Sequence, residues 1–469
     1  MASEIRVNKI INRSGLSTVT FSDTGAIVSG IVTANSFSGN VTGNVTGSGA
    51  NLTSIPAGQL TGTVADARLT SVTASKLSGA LPAIDGSSLT GINTAFGSGT
   101  SVNTSGIITA TAFVPTTGQL SHRNIIVNGA MTVAQRGTSH GSSGFRTVDR
   151  FAFYGSGLNA SVTTEQADVA SGTTPYTSGF RKSHKITNGA QTGPDAGDYI
   201  YFSHKLEAQD IATSGWNYTS ASSYVTLSFW VKSSVAQNFY GYLKTGDGTA
   251  QNYPFETGSL SANTWTKVTK TIPGNSNLQF DINTDMGIEI VIAPFFGTDK
   301  TGTLSLNAWG AWSSSNRLPD NTSTWFTTSG ATFEYTGVQL EVGPVATPFE
   351  HRSYGEELLR CQRYCYADRG SDDYHAVAQG HFNGSSTAIT MLYTPVCMRA
   401  APTLSYPVGT WIVSGDAGTL NQSNIYPTDN IGGVNAFQIR AAVSGAQSGE
   451  GFLLRTSSAG HTWILDAEL

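Results

Sequence analysis

Large side chains and charge are both scarce in the first quarter of this chain. Between Ser36 and Leu120 there is no Tyr, Trp, Cys, His or Met, and the charged residues are Asp66, Arg68, Lys76 and Asp85 alone. Every Trp and Tyr lies beyond residue 150. A segment so poor in apolar bulk cannot bury enough surface to fold as a solitary globule. Charge is thin along the whole length: 12% of residues are Asp, Glu, Lys or Arg, about half the usual share. With a net charge of −5 and no basic run, the sequence excludes the basic groove that nucleic acid selects for. Three cysteines in 469 residues cannot form a disulfide framework, and an odd count leaves a thiol free. No apolar run approaches eighteen residues, so no membrane-spanning helix or membrane insertion is expected. Glu4, Arg6 and Lys9 occupy positions where a signal peptide needs an apolar core, so synthesis in a cytoplasm without a signal peptide is expected.

What is present in the poor segment is repetition. VSGIVTANSF (28–37) returns as TSGIITATAF (104–113), Gly-Asn-Val-Thr occurs twice in SGNVTGNVTG (38–47), GQLTGTV (58–64) is echoed by SKLSGAL (75–81), and ANLTSIP (50–56) by SSLTGIN (87–93). Single aliphatics separated by glycine turns suit a fibrous stack, in which each short unit buries its apolar residue only against neighbours. The simplest neighbours are other copies of the chain about a threefold axis, giving a homotrimeric shaft; the alternative is a flexible Gly/Ser/Thr linker. Glycine does not recur at every third residue, which excludes a collagen helix.

Past residue 120 the texture becomes globular. RNIIVNGAMTVAQRG (123–137) offers a strand, a turn at Asn128-Gly129 and a second strand. YVTLSFWVKSS (224–234), NFYGYLKTG (238–246), NTWTKVTKTIPG (263–274) and MGIEIVIAPFFG (286–297) alternate apolar and polar residues between turn formers, the pattern of a sandwich or jelly roll. The expected fold is mainly β, an elongated multi-domain fibre. Its parts are an attachment segment (1–35), a repetitive β shaft (36–120), a jelly-roll β-sandwich (121–350), a connecting helix (351–366) and a C-terminal β tip (367–469).

TLSFWVKSS, TWTKVTKTI and FEYTGVQLEVGPVATPFE resemble the jelly-roll modules of carbohydrate-binding proteins and phage tail fibres. RNIIVNGAMTVAQRG and GVQLEVGPVATPFEHRSYGEELLRCQRYCY bracket that region and, with the SGNVTGNVTG and LPAIDGSSLTGI repeats, resemble tail-fibre proteins of marine and cyanobacterial phages over roughly residues 1–366. The resemblance implies a homotrimeric virion fibre, held to a tail or baseplate protein through its N-terminal segment. It also implies a distal end that binds host-surface polysaccharide such as lipopolysaccharide. A depolymerase fibre and a purely structural virion fibre with a trimerising C-terminal domain are the alternatives.

Candidate binding residues fall in two places. Trp309, Trp312 and Trp325 surround Asn316, Arg317 and Asp320, aromatic and polar groups of the kind that hold sugars; the competing reading places these rings in a core or a trimer interface. Loops 368–386 and 416–433 of the C-terminal domain carry Asp372, Asp373, Tyr374, His375, His381, Tyr426 and Asp429, suited to recognition or to plain solvation. His375 and His381 lack a third ligand at diagnostic spacing. Asp281/Asp285 and Glu334/Glu341 are the acid pairs to weigh as glycosidase carboxylates, and strict alternation puts Glu334 and Glu341 on opposite faces. With no Ser-His-Asp signature, P-loop or metallohydrolase motif, no enzyme activity, catalytic residue, metal or cofactor is expected.

FEHRSYGEELLRCQRYCY (349–366) is the densest run of titratable groups. Ser353 with Glu356 forms a capping-box pattern, Glu356 and Arg360 can pair along the helix surface, and Leu358, Cys361 and Cys365 fall on one helical stripe. His351 with the two cysteines has no fourth ligand, so a short helix with buried thiols is expected.

Overall fold

The computed structural model describes residues 8–11, 17–23, 25–28, 31–33, 35–36, 38–40, 42, 121–369, 375–405, 411–415, 418–422, 425–427, 434–456 and 462–469. The chain divides into two compact units, Met1–Ile107 and Ile108–Leu469. In the first, strands Lys9–Ile11, Ser17–Ser22 and Gly25–Val28 form an antiparallel meander. The repetitive segment 36–120, expected to form a shaft, lies almost wholly outside the described residues.

The second unit is mainly β, and its first part is a sandwich of two six-stranded antiparallel sheets. One runs 310–311, 251–259, 238–245, 286–296, 199–207, 152–156; the other runs 266–273, 224–233, 332–342, 182–187, 163–168, 139–140. Period-two alternation builds the core. Val225, Leu227, Phe229 and Val231 of the strand Tyr224–Ser233 are at most 1% exposed, while Trp230 and Lys232, on either side of Val231, face outward. His184 and His204 are also inside: His184 bonds Tyr335 Oη at 2.9 Å and Thr147 Oγ1 at 3.1 Å, and His204 lies against the Phe151 ring.

The strand Thr332–Val342 breaks its alternation at a bulge between Thr336 and Gln339. Gly337 there has φ +65°, and a Cβ would meet the Phe180 ring at 2.6 Å. One residue is inserted, so Glu334, Thr336, Gln339 and Glu341 all face the same way, opposite Lys232, Trp230, Ser228 and Thr226. This corrects the expectation that Glu334 and Glu341 point to opposite faces.

Residues 123–137, expected as a hairpin, are irregular instead. Two of their backbone donors, besides Arg123 N, go to carboxylates brought from far along the chain: Asn124 N to Glu350 Oε2 at 3.0 Å and Asn128 N to Glu357 Oε1 at 2.5 Å. Asn128 has the positive φ of a type I′ turn, but Gly129 after it does not, and Met131, where the second strand would run, is at positive φ instead.

The helix runs Tyr354–Gln362, and its N-cap Ser353 accepts from Glu356 N at 3.3 Å, as the capping box requires. It ends before Cys365, which opens the strand Cys365–Arg369. The expected Leu358–Cys361–Cys365 stripe is therefore split between helix and strand. Both thiols are buried, Cys361 packing with Val127 and Val133. Glu356 and Arg360 form no ion pair; Arg360 lies instead near Asp210.

The C-terminal part pairs a seven-stranded sheet (418–422, 411–415, 451–456, 376–382, 387–393, 436–442, 425–427) with a three-stranded one (365–369, 462–466, 403–405). Phe382, Phe452, Leu454, Trp463 and Leu465 fill the space between them. Segments 368–386 and 416–433, read as loops, contain the strands Ala376–Phe382, Gly418–Gln422 and Ile425–Pro427.

This sandwich is locked to the first one. Glu207 takes Arg363 Nε and Nη2, both at 2.7 Å, and Tyr364 Oη at 2.6 Å. Burial raises the Glu207 carboxyl, but those hydrogen bonds outweigh it and hold it below its ordinary range. Arg136 reaches Asp466 at 2.9 Å and Glu468 at 3.2 Å. Arg399 donates to Ala467 O and Glu468 O on one side and Thr284 O on the other.

Candidate functional site

The strands Ala376–Phe382 and Thr387–Tyr393 are joined by only three residue pairs: Gly380–Thr390, His381–Ile389 and Phe382–Ala388. Beyond Gly380 they part company. The first stays paired to the strand Gly451–Thr456 and the second to Ala436–Ala442. Thr390 Oγ1 bridges the start of the gap to Gln379 O at 2.5 Å. A cleft of about 640 Å³ opens there, within the roughly 300–1,000 Å³ common for ligand sites.

Aromatic rings line it. Tyr366 meets Trp463 edge to face with centroids 5.3 Å apart; Trp463 is 3% exposed and belongs to the core beneath, so the rings a ligand can reach are Tyr366 and, at the rim, Tyr393, 69% exposed. Alternation explains the Tyr366–Trp463 contact: Tyr366 and Asp368, two apart on one strand, share a face, and the ladder sets Asp368 opposite Trp463. Asp368 Oδ2 accepts from Trp463 Nε1 at 3.3 Å and pairs with His375 Nε2 at 3.3 Å. The carboxylate is thus aimed by two partners. Burial, and then the Asp368 charge, push the Tyr366 phenol up, so it remains a neutral hydrogen-bond donor. His381, Gln379 and Gln438 add polar groups to the walls.

Flat apolar faces beside fixed amide, imidazole and carboxylate groups suit a ligand with C–H faces and many hydroxyls: rings stack on the aromatics while hydroxyls find partners. Among the described lining residues Asp368 is the only carboxylate.

Of the candidates in the C-terminal domain, His381 lines this cleft and His375 reaches it through Asp368. Tyr426 lies in the short strand Ile425–Pro427, while Asp372, Asp373, Tyr374 and Asp429 lie outside the described residues. Tyr366, Asp368, Tyr393, Gln438 and Trp463 were not singled out from sequence. The Tyr366/Asp368 alternation was the readable sign; the Trp463 contact needs the fold.

The three tryptophans of 309–325 do not converge. Trp325 is wholly buried, its indole N–H bound to Thr332 O at 3.0 Å, so it is a core residue that no solvent-borne ligand can touch. Trp309 packs on Tyr253 and donates to Pro273 O at 2.7 Å. Trp312 leans on Tyr242, with Lys244 Nζ 4.7 Å from its ring centroid.

The acid pairs have structural duties. Glu334 pairs with Lys232 at 2.9 Å, and Glu341 accepts from Thr347 N and Oγ1 at 2.8 and 2.6 Å. Their partners Lys232 and Thr226 are six residues apart on the neighbouring strand, a separation of about 20 Å at the strand rise, beyond the span of glycosidase carboxylates. Asp281 and Asp285 sit exposed in a turn. Among the described residues no group of His, Cys, Asp and Glu is arranged to hold a metal ion, and no helix is long and apolar enough to cross a membrane.

No family model matches the sequence. No curated protein matches it either. Similar solved structures include the enzymatically active domain of tailspike protein 4 of bacteriophage CBA120, at 11% identity and TM-score 0.24, covering 47% of this chain and 21% of that one. A CBM4 structure is similar at 13% identity and TM-score 0.23, covering 46% and 97%. The family 11 carbohydrate-binding module of a Clostridium thermocellum cellulosomal cellulase is similar at 15% identity and TM-score 0.21, covering 46% and 98%. This chain spans about a fifth of the tailspike chain's length. At these TM-scores the likenesses assign no role to any residue here.

Proposed function

We propose that this protein is a non-enzymatic attachment protein, the subunit of a homotrimeric phage tail fibre, and that its C-terminal cleft binds host-surface polysaccharide. The observation that carries the reading is the parting of two strands over Tyr366 and Tyr393, with Asp368 oriented between the Trp463 indole N–H and His375. That is a built concavity with the chemistry of sugar recognition. The tail-fibre assignment and the attachment of the N-terminal segment to a tail or baseplate protein rest on the sequence resemblance. Trimerisation would place three clefts on one particle, so weak individual sites combine through avidity.

The test is to incubate purified full-length protein with host-cell polysaccharide and measure both retention and released reducing ends. Retention without new reducing ends, weakened several-fold on replacing Tyr393 by Ala, is expected. Release of reducing ends supports a depolymerase instead, and no retention on any susceptible cell supports a purely structural fibre. A solution mass near three times 49.2 kDa is expected; a monomer removes the trimer.

A further inference from the structure

A second concavity lies on the first sandwich, on the face that carries Trp230. Its volume is about 280 Å³, just under the range typical of ligand sites, which gives room for one ring and not for a chain. Phe180, Phe349 and His351 form a triangle of rings with centroids 4.8, 5.1 and 4.9 Å apart, and Trp230 completes the lining.

Two glycines make room for these rings. Gly337 has φ +65° and a Cβ there would strike Phe180 at 2.6 Å; Gly179 has φ +98° and a Cβ there would strike His351 Nε2 at 2.8 Å. The polar groups are equally defined. His351 Nε2 bonds Ser178 O at 2.9 Å; since a carbonyl only accepts, Nε2 carries the proton and Nδ1 is an acceptor in the neutral ring. Lys232, next along the strand, is committed to Glu334 at 2.9 Å. Lys267, which lines the pocket and stands opposite Trp230 on the neighbouring strand, is exposed and makes no ion pair with any described residue.

We propose that this pocket binds a single acidic pyranose, its C–H face on the aromatic lining and its carboxylate beside Lys267. The charge fixes the choice of an acidic over a neutral sugar: among the described lining residues Lys267 is a cation without an ion-pair partner, and none is a carboxylate. The site is separate from the C-terminal cleft and stands or falls without it.

The experiment is saturation-transfer NMR on the full chain with D-glucuronate as probe and D-glucose as control. Saturable glucuronate binding is expected, stronger than that of glucose. Lys267→Gln, a change at an exposed position, should weaken glucuronate about two- to fivefold, the reach of an exposed ion pair, and leave glucose unchanged. Trp230→Ala should abolish both, and Tyr393→Ala in the other cleft should change neither. Absence of saturable glucuronate binding overturns the proposal, as does unaltered binding in both Lys267→Gln and Trp230→Ala. Loss in Tyr393→Ala alone moves the binding to the C-terminal cleft and also overturns it.

Discussion

The guanidinium of Arg150 lies 3.4 Å from the centroid of the Tyr364 ring and donates to the carboxylate of Glu468. It is 1% exposed, and a second donor, Nη2, reaches Lys205 O at 2.5 Å. One side chain of the first sandwich is thereby held between the connecting segment and the last residues of the second. Arg150→Met takes one of two arginines from the buried Glu468 carboxylate, Arg136 remaining at 3.2 Å, so it should destabilise by less than the roughly 3–5 kcal/mol of a wholly broken buried pair. Arg150→Met with Glu468→Gln should cost less than the two singles summed, because each single already breaks the same ion pair. Denaturant unfolding of the four proteins reads the coupling; strict additivity refutes the clasp.

Acid should destabilise the fold through its buried histidines. Burial lowers His184 to about 3, and burial with the Arg150 charge holds His204 well below its ordinary range. Both are neutral inside, so the unfolded chain takes up protons first as pH falls below about 6.5, and each then removes up to about 1.4 kcal/mol per pH unit. Asp149 works the other way. Burial raises it to about 6, against the pull of Arg136 and the Gln135 hydrogen bonds and with the Glu468 carboxylate adding to the rise. The folded protein takes that proton before the unfolded one, which adds stability between about pH 7 and 4. Replacing Asp149 by Asn should therefore steepen the loss of stability near pH 5 from about one net proton to about two. An unchanged slope in urea melts across that range contradicts the opposing role of Asp149.

The bulge at Gly337 is testable by a single methyl. Gly337→Ala places a Cβ 2.6 Å from the Phe180 ring at positive φ, and the combined strain should cost about 1–3 kcal/mol or more. A Tm equal to that of the parent would show that the strand tolerates regular alternation.

Thiol reactivity should divide cleanly. Burial pushes the Cys361 and Cys365 thiols well up, and Cys397 is exposed. In native buffer Cys397 alone should react with a thiolate-specific reagent, all three after denaturation. Replacing Cys361 and Cys365 by Ala or Val should leave polysaccharide binding intact, since neither lines the cleft. Rapid native reaction of more than one thiol, or loss of binding with the fold preserved, returns this segment to a chemical role.

Tyr393, at 69% exposure, separates binding from stability. Tyr393→Ala should change unfolding free energy by no more than about 0.5 kcal/mol while weakening polysaccharide by several-fold, the worth of one aromatic contact at about 0.5–1.5 kcal/mol. Equal binding by parent and variant, measured by retention on host polysaccharide, removes this rim from the site.

Local physics was readable along the chain. Alternation located the strands of the first sandwich, and Ser353 with Glu356 marked a helix start, because these features depend on neighbours within four residues. Composition led to the expectation that 36–120 has no core of its own, and that segment lies almost wholly outside the described residues. The misreadings all came from contacts that sequence spacing cannot express. A single inserted residue at Gly337 turned Glu341 onto the face of Glu334; Glu350 and Glu357 drew the backbone of 123–137 out of a hairpin from more than 220 positions away. Trp325 entered the core while Trp309 stayed half outside. The cleft itself was decided by where two strands stop pairing, and its Tyr366, Asp368 and Trp463 meet only because the ladder sets strand 365–369 beside strand 462–466. Long-range pairing is settled by the whole set of buried surfaces at once, so residue types were legible from sequence and their convergence was not.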